Sequence, residues 1–155
     1  SSDDKEVLSL LAIIHSDTSS FNNQFNIELA DQYFSELIRL YPKNKISYYN
    51  FGKYKQDLFQ YNEALKIYSR YLELDTSNKH IYYNMGFCFL QLEDYYQSID
   101  FFTKAINLDN AFLLAYHARA YLYELNNLPD KARIDWKNCL MLNPSYIPAL
   151  EGLNR

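Results

Sequence analysis

Residues 79–112, KHIYYNMGFCFLQLEDYYQSIDFFTKAINLDNAF, predict two amphipathic helices joined by a short turn. In the first half, large and small apolar residues are spaced i, i+3, i+4, i+7, at Tyr82, Met85, Gly86 and Phe89. The second half repeats the helical spacing at Ile99, Phe102, Ala105, Ile106 and Leu108. Between the halves, the polar stretch 92–95 interrupts both patterns. This spacing is typical of helices that bury one face, so the segment is predicted to be a helical hairpin.

The same pattern recurs every 34 residues on both sides of this segment. Small residues recur at Gly52, Gly86 and Ala120 and at Ala64, Ser98 and Ala132, and large aromatic residues recur at Tyr48, Tyr82 and Tyr116 and at Tyr68, Phe102 and Trp136. Small residues suit places where two helices approach closely, and aromatic residues fill the gaps between helix pairs. A fixed period of this length indicates a repeat protein, with consecutive copies at 45–78, 79–112 and 113–146.

The flanking segments continue the repeat in weaker form. Residues 5–44 are predicted to be a degenerate copy whose turn carries an insertion near 16–23, because Ala12 and Ala30 are farther apart than the equivalent Gly52 and Ala64. Residues 147–155 begin another first helix and are predicted to form a partial capping helix. We therefore expect a single domain over residues 1–155.

A 34-residue hairpin with these columns resembles the tetratricopeptide repeat. The resemblance implies an all-α fold, a right-handed superhelix (α-solenoid) of stacked antiparallel helix hairpins with one concave and one convex surface. Two departures from the family pattern are cations where apolar residues are usual, Lys55 and Arg119. The sequence does not say how these two side chains pack, but they do not change the resemblance to the family.

The resemblance also implies a function, the binding of a partner's peptide segment in the concave groove. Carried over by position in each first helix, the groove residues implied by the resemblance are Tyr49, Asn50, Lys53, His80, Tyr83, Asn84, Phe87, His117 and Tyr121. Aromatic side chains give a large contact area at low entropic cost, and amides can bond a peptide backbone. The expected role is a scaffold or adaptor, although such residues also occur in the family without a known ligand.

Composition and charge exclude several other classes of protein. The chain has 155 residues with 15 Lys and Arg against 19 Asp and Glu, a net charge of -4, so a nucleic-acid surface is not expected. No apolar run is long enough to span a bilayer, so membrane insertion is not expected and the domain is predicted to be soluble. The compartment stays open between cytoplasm and periplasm, and a removed signal or a preceding acylated cysteine would favour the periplasm.

Residues for catalysis, cofactor binding or metal binding are not expected. His15, His80 and His117 belong to no metal-binding or catalytic motif, and no glycine-rich phosphate loop is present. Cys88 and Cys139 lie within amphipathic patterns and are predicted to be inert core thiols. The chain is therefore predicted to be non-enzymatic, with no cofactor and no metal.

Three alternatives bear on the partner. A clamp for the C-terminal carboxylate of chaperones needs cations where this chain has Tyr49, Leu114 and Ala118, so that ligand is rejected. Self-association as a homodimer through Leu150 and Leu153 of the last helix stays open. A role as a structural spacer in a longer, exported lipoprotein chain also stays open.

Overall fold

The computed structural model describes residues 2–16 and 23–155, and these ranges contain nine helices and no strand. The helices are α1 (Ser2–His15), α2 (Asn23–Leu40), α3 (Lys45–Asp57), α4 (Tyr61–Leu72), α5 (Lys79–Gln91), α6 (Tyr95–Leu108), α7 (Leu113–Leu125), α8 (Pro129–Leu142) and α9 (Ile147–Leu153). The insertion predicted near 16–23 falls almost entirely outside the described residues.

The chain divides into two compact units, residues 1–76 and 77–155. Helices pair in sequence order, α1 with α2 and α3 with α4 in the first unit, and α5 with α6 and α7 with α8 in the second, where α9 packs on α8. Each pair packs as a helix hairpin. The predicted fold class, all-α and built of stacked helix hairpins, is confirmed.

The core of the first unit consists of small residues and stacked aromatic rings. Ala12 and Ala30 are fully buried where α1 and α2 approach each other. The Phe34 ring of α2 stacks on that of Phe51 at a centroid distance of 5.0 Å and lies 5.5 Å from that of Tyr54, both on α3. Burying a ring of this size contributes about 1.5–3 kcal/mol, so these three rings join the two hairpins.

The core of the second unit follows the same scheme around Phe102 and Trp136. Both are almost completely buried and occupy the same column of the repeat. A Cβ atom added to Gly86 would lie 2.9 Å from the Phe102 ring, and one added to Gly52 in the first unit would overlap Tyr68 more severely. The predicted close helix contacts at these glycines are therefore present.

Ion pairs between neighbouring helices explain the two cations that depart from the repeat pattern. Lys55 on α3 is 8% exposed and donates to Asp31 of α2 at 2.8 Å. Arg119 on α7 donates from Nε and Nη2 to the two carboxylate oxygens of Asp135 on α8, both at 2.8 Å, and from Nη1 to Thr103 of α6 at 2.8 Å. Each cation thus links neighbouring helices through a charge that its partner neutralises.

The turns between α3 and α4, α5 and α6, and α7 and α8 each contain one residue with left-handed backbone. Phe59, Glu93 and Asn127 have φ values of 60°, 61° and 55°, and they are spaced by one repeat length. A side chain with a Cβ atom is disfavoured there, and a bulky ring more than asparagine. Phe59 is also 78% exposed, so its ring gains little burial in return.

We expect Phe59→Gly to raise the free energy of unfolding by about 0.5–1 kcal/mol. Relief of the left-handed conformation contributes about 1–2 kcal/mol, and the greater freedom of glycine in the unfolded chain offsets part of it. Urea denaturation followed by far-UV circular dichroism measures the change. The matched control is Phe59→Ala, which removes the ring but keeps the Cβ atom and should not stabilise. Equal effects of the two substitutions would contradict the backbone explanation.

Candidate functional site

In the second unit, α5 places two predicted site residues against a ring from the next hairpin. His80 and Tyr83 share one face of α5, and their rings lie 5.3 and 5.2 Å from that of Phe112, the residue before α7. Tyr83 also rests on the buried ring of Phe102 at 5.4 Å. Phe112 is itself 7% exposed, so it fixes the beginning of α7 against α5.

On α7, His117 extends the same surface toward α9. Its Nδ1 atom lies 2.7 Å from the hydroxyl of Tyr146, the residue before α9, and its ring meets the edge of Trp136 at 5.3 Å. The tyrosine hydroxyl donates to Nδ1 in the neutral tautomer protonated on Nε2, and Nδ1 donates to the hydroxyl oxygen in the other tautomer. We call these five residues (His80, Tyr83, Phe112, His117 and Tyr146) the aromatic strip.

Burial favours the neutral forms of two side chains in the aromatic strip, Tyr83 and His117. Burial raises the pKa of the Tyr83 hydroxyl, and the neighbouring Tyr146 hydroxyl adds to the effect. Burial of the imidazole lowers the pKa of His117, which favours its neutral form. The strip itself contains no lysine, arginine or carboxylate. The ammonium group of Lys79 lies over the Phe112 ring and pairs with Asp109, whose carboxylate also interacts electrostatically with His80.

The lowered pKa of His117 predicts a specific pH dependence of stability. Below about pH 6.5, the usual histidine pKa, the unfolded chain binds this proton more readily than the folded chain, so the free energy of unfolding falls as the pH is lowered. In His117→Gln this component disappears, and the decline between about pH 7 and pH 5 should become shallower. Urea titrations that follow the fluorescence of Trp136, the single tryptophan, measure both slopes. Identical slopes for the two proteins would show that His117 does not cause this pH dependence.

The other predicted site residues of this unit differ in accessibility. Asn84 is only 8% exposed and Phe87 is half-buried, one turn beyond Tyr83 on α5. Tyr121, one turn beyond His117 on α7, is 46% exposed. Residues four apart share a helix face, so Phe87 and Tyr121 extend the surface from the aromatic strip along their helices. Asn84, predicted to contact a peptide backbone, offers little surface for it.

In the first unit, the predicted residues of α3 face a small pocket. Asn50 and Lys53 line a space of about 250 Å³ together with Ile13 and Ser16 at the end of α1. The ammonium group of Lys53 pairs with Asp57 one turn later. Tyr49 is half-buried beside them. This surface therefore combines one amide with one exposed ion pair, and it is more polar than the aromatic strip.

Sequence reasoning missed Phe112 and Tyr146, which contact the predicted residues most directly. Both lie outside the helices, at the position immediately before a first helix, where the other two copies have Asn44 and Asn78. They are 34 residues apart, which is one repeat length, and both are aromatic. This recurrence of an aromatic residue just before a first helix was visible in the sequence. The groove positions that the resemblance implies lie within the helices and therefore do not include these two residues.

The cysteines and the metal-ligating side chains of the described residues form no reactive or metal-binding cluster. Cys88 and Cys139 are fully buried, as predicted, and burial raises the pKa of the Cys139 thiol to about 12, which suppresses its reactivity. Among the described residues, no group of three metal-ligating side chains comes together, and no helix is long and apolar enough to cross a membrane. On α9, Leu150 is exposed whereas Leu153 packs against the core of the second unit, so only one of the two leucines predicted for self-association is available.

Comparisons with known proteins identify the repeat. The family model for the tetratricopeptide repeat matches residues 46–78 and 80–112. A crystal structure of the MamA protein superposes with a TM-score of 0.81 at 20% identity, covering 96% of this chain and 79% of that one. The tetratricopeptide domain of Arabidopsis OM64 gives a TM-score of 0.67 at 25% identity, covering 72% and 92%.

A third similar structure contains a bound peptide. The first tetratricopeptide domain of Spaghetti (RPAP3), bound to the HSP90 peptide SRMEEVD, gives a TM-score of 0.67 at 19% identity, covering 71% of this chain and 87% of that one. At these low identities the MamA and RPAP3 structures show a shared fold alone. No curated protein matches the chain at the sequence level.

Proposed function

We propose that this chain, which carries tetratricopeptide repeats at residues 46–78 and 80–112, is a non-enzymatic protein-interaction module that holds a peptide segment of a partner against its first helices. The RPAP3 domain, which has the same fold, is bound to a chaperone peptide. For the present chain the proposal rests on its own residues, and above all on the aromatic strip.

The aromatic strip carries the proposal because it is both rigid and uncharged. Tyr83 is held between Phe102 and Phe112, and His117 is held by Tyr146 and Trp136, so these rings lose little freedom when a ligand covers them. Rigid aromatic side chains with polar tips combine apolar contact with hydrogen bonding, which is the usual composition of interaction hot spots. The ligand we expect is therefore a segment with apolar or aromatic anchors.

The charges of the site argue against a carboxylate clamp. At the positions where a clamp needs cations the second unit has Leu114, which is 51% exposed, and Ala118. In the first unit, the ammonium group of Lys53 is already paired with Asp57. A ligand carboxylate would lose its hydration here without gaining a cation, which is unfavourable. Amidating the C-terminus of a bound peptide should therefore leave its affinity unchanged.

The test replaces three residues of the proposed surface together. We expect Tyr83→Ala, Phe87→Ala and Tyr121→Ala in one variant to weaken binding of the partner peptide at least tenfold, because hot-spot rings each contribute about 1–2 kcal/mol or more. The partner is first identified by affinity capture and mass spectrometry, its binding segment is mapped on a peptide array, and affinities are measured by isothermal titration calorimetry.

The matched control changes three exposed residues of the second helices, Tyr96, Ile134 and Met141, which are 82%, 60% and 75% exposed. Their combined alanine variant should bind as the unchanged protein does. Undiminished binding by the Tyr83, Phe87 and Tyr121 variant, with its circular dichroism spectrum intact, would reject the surface formed by the aromatic strip and its extension at Phe87 and Tyr121.

A further inference from the structure

A second pocket lies on the first unit, between the second helices of two successive hairpins. It encloses about 390 Å³ and is bounded by α2 and α4 together with the loop that joins α2 to α3. Its apolar lining consists of Ile38, Pro42, Tyr48 and Ile67. The Tyr48 hydroxyl, from α3, donates to the carbonyl oxygen of Pro42 at 3.1 Å, which links two of the lining residues. The space is large enough for one or two side chains of a ligand.

Three cations and no carboxylate line the rim of this pocket. Arg39 of α2 lies on one side, and Lys66 and Arg70 of α4 lie on the other, four residues apart and therefore on one helix face. All three are well exposed, at 67%, 72% and 65% of their side-chain surface. The charged residues that line the pocket are thus all cations, although the whole chain has a net charge of -4.

The present partners of these cations are carboxylates that lie outside the pocket lining. Each is paired with a glutamate three residues away on its own helix or at its end, Glu36, Glu63 and Glu73, and none of these glutamates lines the pocket. Exposed pairs within one helix contribute little net free energy. An incoming carboxylate can therefore share or replace these glutamates at small cost.

The repeat itself provides an internal comparison. Two repeat lengths further along, in the second unit, the positions of Arg39, Lys66 and Arg70 are taken by Asn107, Ile134 and Asn138. The apolar positions of Ile38 and Tyr48 are kept there as Ile106 and Tyr116, which are 7% and 9% exposed. Pro42 and Ile67 are replaced there by Asn110 and Asp135, so the second unit keeps two of the four apolar lining residues and none of the three cations.

From this geometry we propose that the pocket between α2 and α4 binds an acidic peptide segment of a partner protein. An apolar side chain of the peptide occupies the space above Ile38 and Ile67, and its flanking carboxylates meet the three cations. The small volume suits side chains, and the short rim suits two or three carboxylates rather than an extended polyanion. This site uses second helices, so it is independent of the aromatic strip.

Fluorescence anisotropy tests the proposal with a short fluorescein-labelled peptide in which pairs of glutamates alternate with phenylalanine and leucine. We expect saturable binding at low salt that weakens as salt is raised. The same peptide with every glutamate replaced by glutamine should bind about tenfold more weakly, as should the protein variant R39Q/K66Q/R70Q. The variant changes only exposed side chains, and its circular dichroism spectrum should match that of the unchanged protein.

The control variant K131Q/R133Q/K137Q removes three exposed cations from α8 and should bind the acidic peptide as before. The variant that removes Tyr83, Phe87 and Tyr121 should also bind it as before, which separates this site from the aromatic strip. Absence of saturable binding, or an equal loss in the α8 control, would overturn the proposal. The protein is also tested with vesicles that contain phosphatidylserine. Binding to these vesicles instead of the peptide, with the same dependence on Arg39, Lys66 and Arg70, would overturn the proposal as well.

Discussion

Replacing Asp135 with alanine is expected to lower the free energy of unfolding of the second unit by about 3–5 kcal/mol, because removing one partner of a buried pair leaves the other charge uncompensated. The Asp135 side chain is 1% exposed and that of Arg119 15%. Burial disfavours the charge of Arg119, but the hydrogen bonds and charge of Asp135 outweigh it and raise the pKa of the guanidinium group. Urea denaturation followed by the fluorescence of Trp136 measures the loss.

Two control variants separate this effect from ordinary surface electrostatics. Asp100→Ala breaks the pair with Lys104, in which both side chains are 47% exposed, and should change stability by less than about 0.5 kcal/mol. Replacing both members of the buried pair, Arg119→Met with Asp135→Leu, should recover most of the loss. A double variant as unstable as Asp135→Ala alone would show that the loss does not come from an unpaired charge.

Replacing Phe102 with alanine is expected to lower the same free energy of unfolding by about 3–5 kcal/mol. The ring is fully buried, lies against Gly86, and supports Tyr83 at a centroid distance of 5.4 Å. Its removal leaves a cavity that neighbouring helices cannot fill without moving. Because Tyr83 loses the ring beneath it, we also expect weaker peptide binding under conditions in which the variant is still folded.

The control for this second variant is Tyr96→Ala on the same helix. Tyr96 is 82% exposed, so its loss should change stability by less than about 0.5 kcal/mol. Thermal denaturation followed by Trp136 fluorescence, together with the urea midpoint, compares the two variants. A Phe102→Ala protein as stable as Tyr96→Ala would mean that the ring does not support the hairpin interface.

Much of the fold could be predicted from sequence because each repeat is encoded locally. The pattern of Gly86, Ser98 and Phe102 recurs with a fixed period, and each column has one packing role that any copy reveals. The structure confirms these roles, since Gly86 contacts Phe102 and the buried Ser98 hydroxyl donates to the Gly86 carbonyl oxygen at 2.7 Å. Helical periodicity gives the buried face directly, because neighbours along a helix face are three or four residues apart.

The candidate site was predicted only in part, since its residues act through contacts outside the repeat pattern. The sequence alone determined an all-α repeat protein and identified Tyr83, His117 and Tyr121 as candidates on the first helices. Only the tertiary structure decided that Phe112 supports Tyr83 and Tyr146 supports His117, that Asn84 is largely buried, and that Arg119 is paired with Asp135. The physical reason is that burial and pairing depend on which helices face each other across a hairpin, and a one-dimensional period specifies the columns but not the side chains that meet between them.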